Sequence, residues 1–179
     1  MILTTKRILL RSFLESDWPV IHTLYSQPQT VQYNPGGYPD DEMSTKDLVK
    51  SWVYQHEVAN PGEYTFLIAD NTDGSFIGVI SLRLGKKKYK NAEVWYKLEP
   101  TKWNKGYATE ALRAVLSFGF HTLNLHRIEC GCSVKNIASF KVMEKAGMVR
   151  EGVHRALLPL EDGWHDACIY AILKSEFRS

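Results

Sequence analysis

The chain has 179 residues, 44% of them apolar and 23% charged. That is the length of one domain and the composition of an ordinary globular protein, which excludes wholesale disorder and leaves a core that needs no disulfide or metal. Lys plus Arg is 22 and Asp plus Glu is 20, so the net charge of +2 does not announce a direct nucleic-acid partner. No apolar run approaches the ~18 residues of a membrane span. Lys6, Arg7 and Arg11 interrupt the start of the chain, which therefore does not read as a signal peptide. The three cysteines, Cys130, Cys132 and Cys168, are an odd number and fit a reducing cytoplasm. Cys130-Gly-Cys132 has no paired Cys/His cluster near it, so the two thiols are expected as buried groups on one strand face, with no metal.

In chain order, residues 8–10 predict a first strand and residues 12–25 a helix, with Trp18, Ile21, Leu24 and Tyr25 at helical spacing. YNPGGYP at 33–39 can only be a loop. Ser44, with Asp47 three residues on, is expected to open a second helix whose apolar stripe is Leu48, Val49, Trp52 and Val53. The period then switches to two, giving strands at 64–69, 76–84 and 92–98 with short turns between them, an antiparallel meander. The turn at 85–90 carries Lys86, Lys87, Lys88 and Lys90, a solvated charge run. Residues 106–123 predict the clearest helix, 126–134 a strand, and 137–146 a helix that Gly147 ends. Strands at 149–157 and 164–173 close the chain. The expectation is one domain over 1–179: a mixed, mostly antiparallel α/β (α+β) sheet of about seven strands with helices packed on both faces.

The junction from strand 92–98 into the helix at 106 carries the chemistry. A strand–loop–helix turn offers unpaired N–H groups and the positive end of a helix dipole, an anion site. Gly106 and Ala108 let a phosphate approach the backbone, and Lys102 and Lys105 add charge. There is no Walker A loop and no G-x-G-x-x-G. Taken alone, this stretch is equally an ordinary helix start.

The longer string A-E-V-W-Y-K-L-E-P-x-x-W-N-K-G-Y-A-T-E-A-L resembles motif A of the GNAT N-acetyltransferases, in the branch that acetylates ribosomal-protein N-terminal alanine and serine. L-H-R-I at 125–128, N-I-A-S-F-K-V-M-E-K-A-G-M at 136–148, R-E-G at 150–152 and G-W-H-D at 163–166 are similar to that branch as well, and the L-x-x-x-R-x-x-L-R segment at 3–11 adds weaker support. Three positions depart from the pattern. Trp103 stands where the wider family has Gln or Arg, Trp95 replaces a glycine, and Met143 replaces a tyrosine held to protonate the leaving thiolate.

The resemblance implies a GNAT fold and an acetyl-CoA-dependent enzyme that passes the acetyl group directly to a primary amine. It implies cofactor contacts at Tyr96, Lys97, Leu98, Asn104, Lys105, Gly106, Tyr107, Ala108, Thr109 and Asn136, with the backbone of 96–98 pairing with the pantetheine arm as an added strand does. The amine must attack uncharged. At pH 7 an α-amine costs ~1 kcal/mol to deprotonate and a lysine amine ~4–5 kcal/mol, so a general base helps both. Glu93 is the first choice for that base, acting through a water, with a structural ion pair as its alternative. Ser139 resembles the branch's proton source for the thiolate, with a backbone-bonding helix serine as its alternative, and Asn136 is equally a plain N-cap. Backbone N–H groups near Trp95 or Tyr96 are expected to bind the carbonyl oxygen if the strand bulges there. Tyr33, Asn34, Tyr38 and Trp52 are candidates for the wall of the acceptor pocket, with packing of the first two helices on the sheet as their alternative and the preferred one for Trp52, and His165 and Asp166 are weaker candidates.

The leading acceptor is a protein N-terminal α-amine. The alternatives are a small amine, such as a polyamine or aminoglycoside, for which the acidic run Asp40, Asp41 and Glu42 is suggestive, and a non-catalytic acyl-CoA-binding module. A monomer or homodimer is expected.

Overall fold

The computed structural model describes residues 1–39 and 41–178. Asp40, one of the three residues in the acidic run, lies outside the described residues. Strands β1 (Ile2–Thr4) and β2 (Ile8–Ser12) lead into helices α1 (Trp18–Tyr25), α2 (Pro28–Val31) and α3 (Glu42–Glu57). Strands β3 (Glu63–Asp70), β4 (Phe76–Leu84) and β5 (Asn91–Leu98) follow, then α4 (Tyr107–Ser117), β6 (Arg127–Ser133), α5 (Ile137–Lys145), β7 (Val149–Leu160) and β8 (Gly163–Leu173). The eight strands form one sheet in the order β1-β2-β3-β4-β5-β6-β8-β7. All neighbours are antiparallel except β5 and β6.

Two cores lie on opposite faces of this sheet. On one, Ala111, Leu112, Val115 and Leu116 of α4 and Met143 of α5 pack on Ile80, Val94 and Ile128, all buried. On the other, Ile21 and Leu24 of α1 and Val49 and Trp52 of α3 cover Leu67 and Val79. The period of two in β5 divides its side chains between these faces: Ala92, Val94, Tyr96 and Leu98 face α4 and α5, while Trp95 packs on the α1/α3 side.

Several expectations need correction. The sheet gains a three-residue edge strand, β1, that pairs with β2. Helix α3 opens at Glu42 and not at Ser44. Its N-cap is Asp41, whose Oδ1 accepts from the Ser44 N–H at 2.7 Å, so Ser44 is the donor partner of the cap and Asp47 plays no part in it. Helix α4 ends at Ser117 and passes into a π turn at 118–122. There Gly119 lets Ile128 come close, since a Cβ would stand 2.6 Å from Ile128 Cδ1. The end of α5 is as expected. Gly147 at φ 91° donates to Glu144 C=O, and Met148 N–H donates to Met143 C=O at 3.0 Å, which closes the helix.

Candidate active site

The site begins with a split in the sheet. Strands β5 and β6 pair only at Asn91↔Arg127, Ala92↔Ile128 and Glu93↔Glu129. Yet β4 continues to pair with β5 as far as Leu98, and β8 with β6 as far as Ser133. Beyond Glu93 the two central strands therefore diverge. Glu99 N–H donates to Ile77 C=O and Gly85 N–H to Asn91 C=O, both at 2.9 Å, which fixes the alternation along β5. Residues 91, 93, 95, 97 and 99 aim their backbone groups at β4, whereas Val94, Tyr96 and Leu98 aim theirs into the gap. The register between β4 and β5 is unbroken, so β5 has no bulge at Trp95. The Tyr96 N–H faces the gap and the Trp95 N–H does not.

At the mouth of the gap the chain turns into α4. Asn104 (φ 58°) and Gly106 (φ 82°) adopt left-handed conformations on either side of Lys105. Such alternation curls backbone N–H groups into a concave anion nest, and among the described residues no side chain caps the helix that follows. Residues 103–106 are exposed, as an anion site requires. A clamp from the β1–β2 turn holds this loop. Arg7 donates from Nη1 to Lys105 C=O at 2.9 Å and from Nε to the Glu110 carboxylate at 2.7 Å, and its guanidinium lies 4.8 Å from the Tyr107 ring centre. Partial burial works against ionisation of Glu110, but hydrogen bonds from Thr5 and Arg7 outweigh it and hold this carboxyl below the usual carboxylate range. Arg7 thus neutralises a first-turn carboxylate that would otherwise repel an anion at the nest. Arg7 belongs to the segment at 3–11 already singled out, but its role as a clamp was not legible, because no local signal links residue 7 to a loop ninety-eight positions on. Lys102 does not serve the nest, since its ammonium donates to Ser75 Oγ at 3.1 Å.

Across the gap, α5 starts beside β6. Asn136 Oδ1 accepts from Ser139 N–H at 3.2 Å, the N-cap arrangement. Tyr96, reaching over from β5, places its hydroxyl 3.4 Å from the Ser139 carbonyl oxygen. Burial pushes its pKa well above the ordinary 10, so the hydroxyl keeps its proton. Met143, one turn further along α5, is fully buried in the core. Burial also pushes up both thiols of β6, that of Cys132 to about 12, so they are inert packing groups. The exposed Trp103 donates from its indole Nε1 to Leu98 C=O at 2.8 Å, which occupies one of the gap-facing carbonyls.

The structure thus gathers Tyr96, Leu98, Asn104, Lys105, Gly106, Tyr107, Ala108, Thr109, Asn136 and Ser139 around one gap and its mouth. Lys97 is not among them. Its backbone pairs with Val79, and its ammonium sits on the other face, 3.7 Å from the centre of the Tyr25 ring. Burial lowers its pKa to about 8. Glu93 also stands apart. It lies where β5 and β6 are still paired, its side chain is 51% exposed, and its nearest cation is Arg83 at 4.0 Å. Trp95 does not crowd the gap. Its ring packs 6.1 Å from that of Trp52, and Nε1 donates to Glu63 Oε1 at 3.1 Å. Trp52 is a core residue and not a pocket wall, while Tyr33 and His165 line a cavity of about 180 Å³ between α2 and the β7–β8 hairpin. Asp166 is a structural partner, accepting from Ala156 N–H at 2.8 Å.

A split sheet with a glycine-centred anion nest at its mouth defines a class, the acyl-CoA-dependent acetyltransferases, and comparison with known proteins agrees. Residues 7–149 match the acetyltransferase (GNAT) domain family. The chain is 35% identical to the uncharacterized N-acetyltransferase YnaD of Bacillus subtilis (strain 168) over 99% of both chains. It is 27% identical to the ribosomal-protein-serine acetyltransferase of Escherichia coli (strain K12) over 80% of this chain and 74% of the other. Among solved structures, a GNAT-family acetyltransferase from Bacillus anthracis superposes with a TM-score of 0.84 at 31% identity, covering 98% of this chain and all of that one. The chain belongs to the GNAT acetyltransferase family, and it is an acetyl-CoA-dependent acetyltransferase. Among the described residues no helix is long and apolar enough to cross a membrane.

Proposed function

We propose that this enzyme acetylates a protein N-terminal α-amine in the cytoplasm, within a ternary complex with acetyl-CoA. The observation that carries the reading is the gap between β5 and β6, whose open backbone edge leads directly to the nest at Gly106. In this reading the N–H groups of residues 104–109 hold the pyrophosphate, with Lys105 adding charge. The C=O of Tyr96 and the N–H of Leu98 pair with the pantetheine amides, as an edge strand accepts a new strand. Acetyl-CoA supplies an activated acyl carbon and a thiolate leaving group. Tyr96 N–H, facing the gap, stabilises the carbonyl oxygen as it gains negative charge. Ser139, at the first turn of α5, protonates the thiolate, and Asn136 fixes the start of that helix. A carboxylate on the acceptor side receives the amine proton. The α-amine reading draws support from the similarity to the ribosomal-protein-serine acetyltransferase and from the low cost of deprotonating such an amine, ~1 kcal/mol at pH 7.

The test is thiol release from acetyl-CoA against N-terminal peptides, lysine peptides, polyamines and aminoglycosides, beside a calorimetric titration with CoA. Turnover with N-terminal peptides is expected. Turnover with small amines alone would move the acceptor to that class. CoA binding without turnover on any amine would make the chain a binding module.

A further inference from the structure

The α1/α3 face of β3, β4 and β5 carries a second carboxylate, which shares Arg83 with Glu93 but is far more buried. Glu63 opens β3, and its side chain is only 19% exposed. Its Oε1 accepts from Ser81 Oγ at 2.6 Å and from Trp95 Nε1 at 3.1 Å. Ser81 is itself bonded to Thr65 Oγ1 at 2.9 Å, so the carboxylate is held by a chain of side chains across three strands. Among the described residues, Oε2 accepts no hydrogen bond from the protein. Trp95 lies between Val94 and Tyr96, whose backbone groups face the gap, and its indole connects that point of β5 to Glu63. Trp95 is also the residue that replaces the glycine of the related sequences. The charged and titratable groups around Glu63 are Arg83 of β4 (3.7 Å), Glu93 and Lys97 of β5, His56 of α3, whose Nε2 bonds to Thr65 C=O at 2.7 Å, and Tyr25 of α1. Lys97 and Tyr25 sit against each other, with Tyr25 near enough to Glu63 for the carboxylate's charge to oppose its ionisation.

We propose that Glu63, oriented by Trp95 and Ser81, is the carboxylate that binds the acceptor ammonium and takes its proton, and that Glu93 is a surface ion-pair partner. This rests on the acetyltransferase reading and assigns the acceptor side of it. The proton balance closes. The ammonium gives one proton to the free Oε2 and attacks as an amine. The C–N bond forms, the C–S bond breaks with its electron pair on sulfur, and the sulfur takes a proton. The amide nitrogen sheds its second hydrogen, which makes up for the proton that sulfur takes, and the proton on Glu63 passes to solvent, so the products are amide, thiol and one free proton. A Gln at position 63 can still accept from Ser81 and Trp95 through its amide oxygen, so the variant isolates the loss of charge and basicity.

The test compares Glu63→Gln and Glu93→Gln with the wild type on whichever acceptor it turns over, from pH 6.0 to 7.0, where Lys97 stays mostly protonated. Glu63→Gln is expected to lose ~100-fold in kcat/KM. Its remaining kcat/KM should climb about tenfold per pH unit, because only the uncharged amine can then enter, while the wild-type profile stays nearly flat. CoA affinity should change less than about twofold, which separates a role in acceptor chemistry from a folding defect. Glu93→Gln should stay within about threefold of wild type. If Glu63→Gln fails to fold, Glu63→Asp decides the matter: it keeps a carboxylate, so its pH profile should remain flat at reduced kcat/KM. A wild-type profile and rate in Glu63→Gln, a steep profile in Glu63→Asp, or the loss appearing in Glu93→Gln would each overturn the assignment and leave the acetyltransferase reading standing. A wild type that binds CoA but releases no thiol with any amine would overturn both.

Discussion

Replacing Gly78 by alanine tests the link between the sheet and the cofactor gap. Gly78 lies on β4 directly opposite Leu98, the last residue of β5. A Cβ at 78 would collide with the carbonyl oxygen of Lys97, stand 2.8 Å from Leu98 Cα and reach 3.0 Å from Leu98 Cγ. Two of these three are backbone atoms, which cannot rotate aside, so relief must come from moving the end of β5 away from β4. Overpacking of this kind costs ~1–3 kcal/mol. For a chain of this length each kcal/mol lowers Tm by about 2–4 °C, so Gly78→Ala should melt about 2–12 °C below wild type. The direction of the shift matters more. The displaced strand end carries the gap-facing groups of Tyr96 and Leu98 and leads into the nest, so CoA affinity should fall by ~10-fold or more, equivalent to ~1.4 kcal/mol. Differential scanning calorimetry and isothermal titration with CoA read the two quantities. Gly152→Ala is the control, because a Cβ there meets nothing within 4 Å. A Gly78→Ala protein with wild-type Tm and wild-type CoA affinity would refute the close approach of β4 to β5 and the role given to the strand end.

Other substitutions probe the remaining groups. Lys97 buries an ammonium that finds no hydrogen-bond partner among the described residues, and burial holds its pKa at about 8 against an ordinary 10.5. Between those values the unfolded chain binds the extra proton, so folding stability should rise with pH from about 8 to 10.5. Lys97→Met should abolish that rise in urea melts and raise Tm at pH 7 by ~2–4 °C; a flat wild-type profile would refute the burial argument. His56 runs in the same sense at lower pH. Burial lowers its pKa despite the bond to Thr65, so stability is fully present above 6.5 and declines as the pH falls, by at most ~1.4 kcal/mol per unit. His56→Gln should remove this contribution, and an unchanged acid limb would show that another group carries it. Asn136→Ala removes the cap of α5 and should cost ~1 kcal/mol in denaturant melts, with weaker CoA binding alongside it. The thiols of Cys130 and Cys132 should resist iodoacetamide at pH 7.5 until the protein unfolds; rapid labelling would contradict the burial of Cys130 or the raised pKa of the half-buried Cys132.

The order of elements was legible because each long element carries a clean period. The meander at β3, β4 and β5 alternates, and α4 repeats its apolar residues every three or four positions. What escaped notice was short or non-local. Strand β1 has three residues, and α2 begins at Pro28, which reads as a breaker although proline suits a first helical turn. The motif residues 104–109 and 136–139 were legible as a set because they follow one another along the chain. The gap that gives them meaning was not, since it depends on two strands that pair for three residues and then part. Glu63 carried no signal at all. It follows a Pro-Gly turn as a surface carboxylate would, and only the indole arriving from Trp95 marks it out.

The parting of β5 and β6 also bears on the enzyme's durability in a cell. A sheet whose middle holds an unpaired edge is completed only when something lies along that edge, and in the proposed binding mode that something is the pantetheine arm of CoA. Whatever binds the folded chain alone adds RT ln(1 + [L]/Kd) to its stability, ~2.7 kcal/mol at a hundredfold excess over Kd. The half-life of this protein should therefore track the CoA pool: well-fed cells would keep it folded, and cells drained of CoA would lose it first from the centre of its own sheet, where the amides of Tyr96 and Leu98 would exchange with solvent earliest.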